Sequence, residues 1–130
     1  MNPAVLDASA LLAYLRSEPG SELVREKLRG AYISAVNLSE VFKKVSEKQG
    51  AIALVKAVVG NFQVKVVSFD AAAAQATAEL DLLTRGKGLS LADRACLALA
   101  QSKETQAFTS DRRWQELTLP IEIVLFRGNN

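Results

Sequence analysis

The chain has 130 residues and a mass of 14.0 kDa, enough for one domain with its own core. Its 49% hydrophobic and 23% charged residues exclude a disordered chain, and 16 Lys+Arg against 14 Asp+Glu leave a net charge of +2, too small to argue for a polyanion partner. There is no histidine and one cysteine, Cys96, which excludes Ser-His-Asp and Cys-His chemistry, His-ligated metals, Cys-rich zinc or iron–sulfur sites and intrachain disulfides.

The predicted elements alternate. Pro3 to Leu6 reads as a short buried strand, with Asp7 directly after it, and Ser9 opens a helix running through Leu15. Glu18-Pro19-Gly20-Ser21 is a turn or helix start, and Glu22 to Arg29 is an amphipathic helix with Gly30 at its C′ position. Ala31 to Ala35 is a second strand, and Asn37 is expected to cap a helix carrying Leu38, Val41, Phe42 and Val45. Ala51 to Val59 is helical, Val64 to Phe69 is a β-branched strand, and Asp70 caps an Ala-rich helix to Thr84. After the Arg85-Gly86-Lys87-Gly88 loop, Ser90 caps a helix that is apolar almost all round, and that helix should be buried. Gln106 to Thr109 is a strand, Arg112 to Leu117 is a short helix capped by Asp111, and Ile121 to Phe126 is the last strand. Strands separated by helices predict an α/β fold with a mainly parallel sheet and helices on both faces, whose ligand crevice lies outside the carboxyl ends of the strands.

With histidine and paired cysteine excluded, carboxylates acting with a hard cation are the first chemistry to test. Glu22, Glu26, Glu47, Glu104, Glu116 and Glu122 lie among polar neighbours and read as solvated. Asp7, Glu40, Asp93 and Asp111 differ. Asp7 and Asp111 each follow an apolar strand, so they share one edge of the sheet. Glu40 lies one turn into a helix that follows a strand, and Asp93 lies in the first turn of the most apolar helix. Each also has a local explanation. Asn37-Leu38-Ser39-Glu40 and Ser90-Leu91-Ala92-Asp93 have capping-box spacing, Asp7 can form an Asx-turn, and Asp111 can cap. Local capping does not explain why four acids would converge. Four converging carboxylates would require an oxygen-liganded cation such as Mg²⁺ or Mn²⁺.

Four segments carry a resemblance. They are Val5-Leu6-Asp7-Ala8-Ser9-Ala10-Leu11, Asn37-Leu38-Ser39-Glu40-Val41, Gly88-Leu89-Ser90-Leu91-Ala92-Asp93-Arg94-Ala95, and Thr109-Ser110-Asp111-Arg112-Arg113-Trp114. In order and spacing they resemble the four acidic motifs of PIN-domain ribonucleases, and most of all the VapC-type toxins of bacterial toxin–antitoxin pairs. Ala92 stands where many relatives have Gly. The resemblance implies a single three-layer α/β/α domain over residues 1–130. It also implies Mg²⁺- or Mn²⁺-dependent endoribonuclease activity, a homodimer and a neutralising antitoxin. By position, Asp7, Glu40, Asp93 and Asp111 would be the catalytic, metal-binding acids.

Around the acids, Ser9 and Thr109 are candidates to position water or phosphate. Arg94, Arg112 and Arg113 flank two of the acids and have the bidentate chemistry that suits phosphate. Trp114 reads as a packing anchor and Cys96 as a small buried hydrophobe. The Ala71 to Ala78 stretch suits close helix packing or a dimer interface. No run approaches the ~20 apolar residues of a membrane span. Asp7 interrupts a short N-terminal imitation of a signal peptide, which reads as mature protein, and the single thiol makes a reducing cytoplasm the expected compartment. Two rival readings remain: a phospho-accepting α/β domain using Asp7, and a non-catalytic module binding RNA or a partner.

Overall fold

A computed structural model describes residues 2–127. The elements, in chain order, are β1 Val5–Leu6, α1 Ala8–Leu15, α2 Ser21–Leu28, β2 Tyr32–Ser34, α3 Ala35–Val45, α4 Ala51–Asn61, β3 Lys65–Val67, α5 Ala71–Thr84, α6 Leu91–Ser102, β4 Ala107–Thr109, a 3₁₀ turn Arg112–Glu116 and β5 Ile123–Leu125. The strands form one sheet in the order β3-β2-β1-β4-β5, and every neighbouring pair is parallel.

Alternation along the strands divides the core into two. Leu6, Ile33, Phe108 and Val124 face one helical layer, where Leu11, Leu28, Val41 and Val55 pack from α1 to α4. Val5, Tyr32, Ala107 and Ile123 face the other, where Leu80, Cys96, Leu97 and Trp114 pack. This is the α/β/α sandwich expected, with Cys96 and Trp114 fully buried as read. Helix α6 is buried at Ala92 and at every position from Ala95 to Ala100.

Strand order creates the crevice. The chain runs outward from β1 through β2 to β3, then α5 and α6 return it across the sheet to begin β4 on the other side of β1. The order therefore reverses between β1 and β4, and a crevice opens beyond their carboxyl ends.

Several helix starts differ from the sequence reading. Asp7, not Ser9, caps α1, because its carboxylate accepts the Ala10 N–H and places Ser9 inside the first turn. Ser34, not Asn37, caps α3, because β2 passes into the helix with no intervening loop. Asn37 is an interior helical residue that is almost wholly buried. Glu40 is therefore past the first turn and takes no part in a capping box. The other expected caps are present at Asp70, Ser90 and Asp111. Gly20 precedes α2 with φ +87°, and a Cβ there would run into the Phe126 carbonyl, so the β5 end closes over this turn only because residue 20 is glycine. The strands are shorter than read, β3 being Lys65–Val67 and β5 Ile123–Leu125.

Candidate functional site

Asp7 sits where β1 becomes α1, and its carboxylate is held from three directions. Ser9 Oγ donates to Oδ1 at 2.6 Å, the Ala10 N–H donates to the same oxygen at 2.9 Å, and Thr109 Oγ1 donates to Oδ2 at 2.6 Å. The two hydroxyls also accept. Thr109 Oγ1 receives the Asp111 N–H at 3.0 Å and Ser9 Oγ receives the Ser110 N–H at 3.1 Å. The ends of β1 and β4 are thus stitched together through one buried carboxylate. Burial pushes the Asp7 carboxyl up to about 6. The Ser9, Thr109 and Ala10 hydrogen bonds pull it down, and the Asp93 charge adds to the rise.

The other three acids arrive on separate elements. Asp93 forms a reciprocal capping box with Ser90, accepting its N–H at 2.9 Å while its own N–H donates to Ser90 Oγ at 3.1 Å. Capping therefore accounts for one Asp93 oxygen and not the other. Glu40 is partly exposed on α3 and makes no hydrogen bond or ion pair among the described residues. Asp111 caps the 3₁₀ turn through the Arg113 N–H at 3.0 Å and pairs with the Arg113 guanidinium at 2.6 Å. That pairing holds the Asp111 carboxyl below its ordinary range.

All four acids line a single cleft of about 330 Å³, with Ala8, Ser9, Asn37, Lys44 and Ser110. The convergence expected from sequence is therefore present. Electrostatics give the same picture: burial drives the Cys96 thiol well up, and Asp7, Asp93 and Glu40 all push it the same way. Asn37 donates to the Ala92 carbonyl at 3.1 Å, locking α3 against α6 beside Asp93. Its Oδ1 is buried without a hydrogen-bond partner.

Other candidates fall elsewhere. Arg94 does not line the cleft; it reaches the Thr77 carbonyl on α5 at 3.3 Å, because its side chain leaves α6 on the α5 side. Arg112 is exposed and outside the cleft wall. Thr109 is fully buried, and its hydroxyl bridges Asp7 and Asp111. The sequence reading missed Lys44, the one cation of the cleft wall among the described residues. Its position four residues after Glu40, on the same helical face, was the available signal.

The donor set suits a hard divalent cation. The four acids and the hydroxyls beside them offer only oxygen, and among the described residues buried Asp7 has no cationic partner. The acids do not yet form a shell: among the described residues, no three Asp, Glu, Cys or His side chains stand close enough together to hold an ion. Asp111 in particular is turned onto Arg113.

The sequence pattern of the PIN domain matches residues 4–118. The chain belongs to the PIN domain family. Solved structures share the fold at low identity. The FitAcB structure from Neisseria gonorrhoeae is 19% identical with a TM-score of 0.72, over 92% of this chain and 95% of that one. The DNA-bound VapBC structure from Salmonella typhimurium is 21% identical with a TM-score of 0.70, over 95% and 98%. VapC20 of Mycobacterium tuberculosis, described as a Sarcin-Ricin loop cleaving toxin, is 18% identical with a TM-score of 0.66, over 88% and 96%. Comparison with curated proteins finds no match. Among the described residues no helix is long and apolar enough to cross a membrane.

Proposed function

We propose that this PIN domain is a metal-dependent endoribonuclease toxin of the VapC type, restrained by a cognate antitoxin. The observation that carries the reading is the meeting of Asp7, Glu40, Asp93 and Asp111, from four separate segments, in one cleft at the reversal of strand order. The likeness in fold to VapBC structures and to a Sarcin-Ricin loop cleaving toxin supports the substrate class and the antitoxin.

In this reading the four carboxylates would hold Mg²⁺ or Mn²⁺. When bound, such an ion supplies an activated water and neutralises charge on the phosphodiester. The chain's own residues do the remainder. Ser9 and Thr109 fix the Asp7 carboxylate, so one ligand is oriented before substrate arrives. Asn37 fixes the spacing of α3 and α6, and hence of Glu40 and Asp93. Lys44 places a positive charge on the wall, where it attracts the phosphate backbone into an acidic cleft. No histidine is present to shuttle protons to and from a 2′-hydroxyl, which favours water as the nucleophile. In this reading water adds at phosphorus, the P–O3′ bond breaks, and the departing 3′-oxygen takes up a proton, leaving a 5′-phosphate and a 3′-hydroxyl.

The homodimer belongs to the same reading. Leu82 and Leu83 near the end of α5 and Leu91 at the start of α6 are exposed and offer apolar surface for a second copy. The phospho-acceptor alternative is weakened by the burial of Asp7, which at 7% exposure gives a bulky phosphoryl donor little access. The direct test incubates the protein with RNA and Mn²⁺ and compares Asp7→Asn and Asp93→Asn. The proposal expects end groups of the stated kind from wild type and at least tenfold slower cleavage by each variant, ~1.4 kcal/mol of barrier. Equal cleavage by the variants would overturn it.

A further inference from the structure

Arg113, unlike Arg94 and Arg112, is bound directly to one of the four acids. Its Nε donates to Asp111 Oδ1 at 3.0 Å and to Oδ2 at 3.2 Å, and its Nη2 donates to Oδ2 at 2.6 Å. The Arg113 backbone N–H takes Oδ1 as well, at 3.0 Å. Four donor contacts therefore fall on one carboxylate, which has about four lone-pair positions. The remaining arm, Nη1, donates to the Gly88 carbonyl at 3.1 Å. Gly88 lies so close over the guanidinium that a Cβ there would sit 2.9 Å from Nη1.

Asp111 lines the cleft, yet its oxygens are committed to a guanidinium. A guanidinium and a divalent cation compete for the same lone pairs. The pair is also open to solvent, with side chains 53% and 26% exposed for Arg113 and Asp111. Because the pair is solvent-accessible, its separation by an incoming divalent ion returns the guanidinium to water and strands no buried charge. The same pairing turns the Asp111 oxygens away from the other acids of the cleft.

We propose that Arg113 is the counter-ion a divalent cation must displace from Asp111, and that this competition sets the metal affinity of the cleft. The proposal rests on the reading of the cleft as a metal site. After release, the guanidinium keeps its anchor on the Gly88 carbonyl and stays beside the cleft.

The test is a calorimetric titration with Mn²⁺ of the wild-type chain, Arg113→Gln, Arg113→Lys and Arg112→Gln, each checked for folding by its metal-free melt. Arg112→Gln removes the same charge one residue away, from a side chain that does not touch Asp111. Arg113→Gln should bind Mn²⁺ about threefold or more tightly than wild type, the scale of a lost surface pair. Arg112→Gln should stay within about twofold. Arg113→Lys keeps the charge but loses the fork, so it should fall between wild type and Arg113→Gln, and it decides the matter alone if Arg113→Gln does not fold. In an Asp111→Asn background the Arg113 substitutions should give no gain. Affinity unchanged or weakened in Arg113→Gln, or a gain equal to that of Arg112→Gln, would overturn the displacement. If wild type itself binds no Mn²⁺, the metal reading of the cleft fails, a result distinct from an Arg113 variant that matches a binding wild type.

Discussion

Asp7 and Asp111 follow neighbouring parallel strands, and each caps the turn after its strand. Their electrostatic situations are opposite. Asp7 is buried among hydroxyls and its carboxyl is pushed up to about 6, whereas Asp111 is partly exposed against a guanidinium and its carboxyl is pushed down. A strand-end acid in this crevice therefore acquires its character from what packs on it, not from its position in the fold. One acid is rigid and short of positive charge; the other has positive charge and must give it up to join a shared site.

The largest expected effect lies at Asp7. Its folded-state value of about 6 lies above the ordinary 3.8, so the folded chain holds that proton more tightly than the unfolded chain. The associated stability is complete below the unfolded value and is lost as pH rises towards 6. Asp7→Asn has no such proton. Between acid and neutral pH, the metal-free stability difference should therefore move in favour of the variant by on the order of 3 kcal/mol, read from denaturant unfolding at a series of pH values. A difference that stays flat with pH would show that Asp7 is not perturbed.

A smaller effect sharpens the same side. Thr109→Val keeps the buried shape but removes the donor to Asp7 Oδ2 and the acceptor of the Asp111 N–H. Stability at neutral pH should fall by ~1–3 kcal/mol, the usual penalty for stranding a buried polar partner, and the Asp7 carboxyl should rise further. Chemical denaturation measures the first and carboxyl NMR titration the second.

Glu40 provides the next contrast, because no cap depends on it. Glu40→Gln and Glu40→Ala should cost nearly equal stability, each within about 1 kcal/mol, while both cut RNA cleavage at least tenfold. Much greater instability in Glu40→Ala would restore a capping role. The smallest effect lies at Asp111. Its pairing contributes stability above the ordinary carboxylate range, and that contribution is lost as pH falls. Added salt should screen it at neutral pH, whereas the Asp7 effect should persist, since buried groups are screened far less.

Much of this was legible in the sequence because it rests on periodicity and on strand ends. The parallel sheet, the buried α6 and the edge shared by Asp7 and Asp111 follow from apolar runs that stop at an acid. The start of α3 was not legible. Ser34 and Asn37 are both good caps three residues apart, and only the direct passage from β2 into the helix selects Ser34. Arg112 and Arg113 are adjacent and chemically identical, and the 3₁₀ turn alone folds the second back onto Asp111. Arg94 needed the packing of α5 on α6 to show that it reaches Thr77. In each case the ambiguity is between near-equal local choices, and tertiary contact decides it.

The proposed function requires that Asp7, Glu40, Asp93 and Asp111 serve one cation. Anomalous diffraction from crystals grown with millimolar Mn²⁺ tests it most directly. The predicted result is a manganese peak in the cleft, bound directly at about 2 Å by oxygens of at least two of the four acids, with the others reaching it directly or through water. The same crystals should show Asp111 released from Arg113. No peak in the cleft, or a peak held only by exposed acids outside it, would contradict the claim.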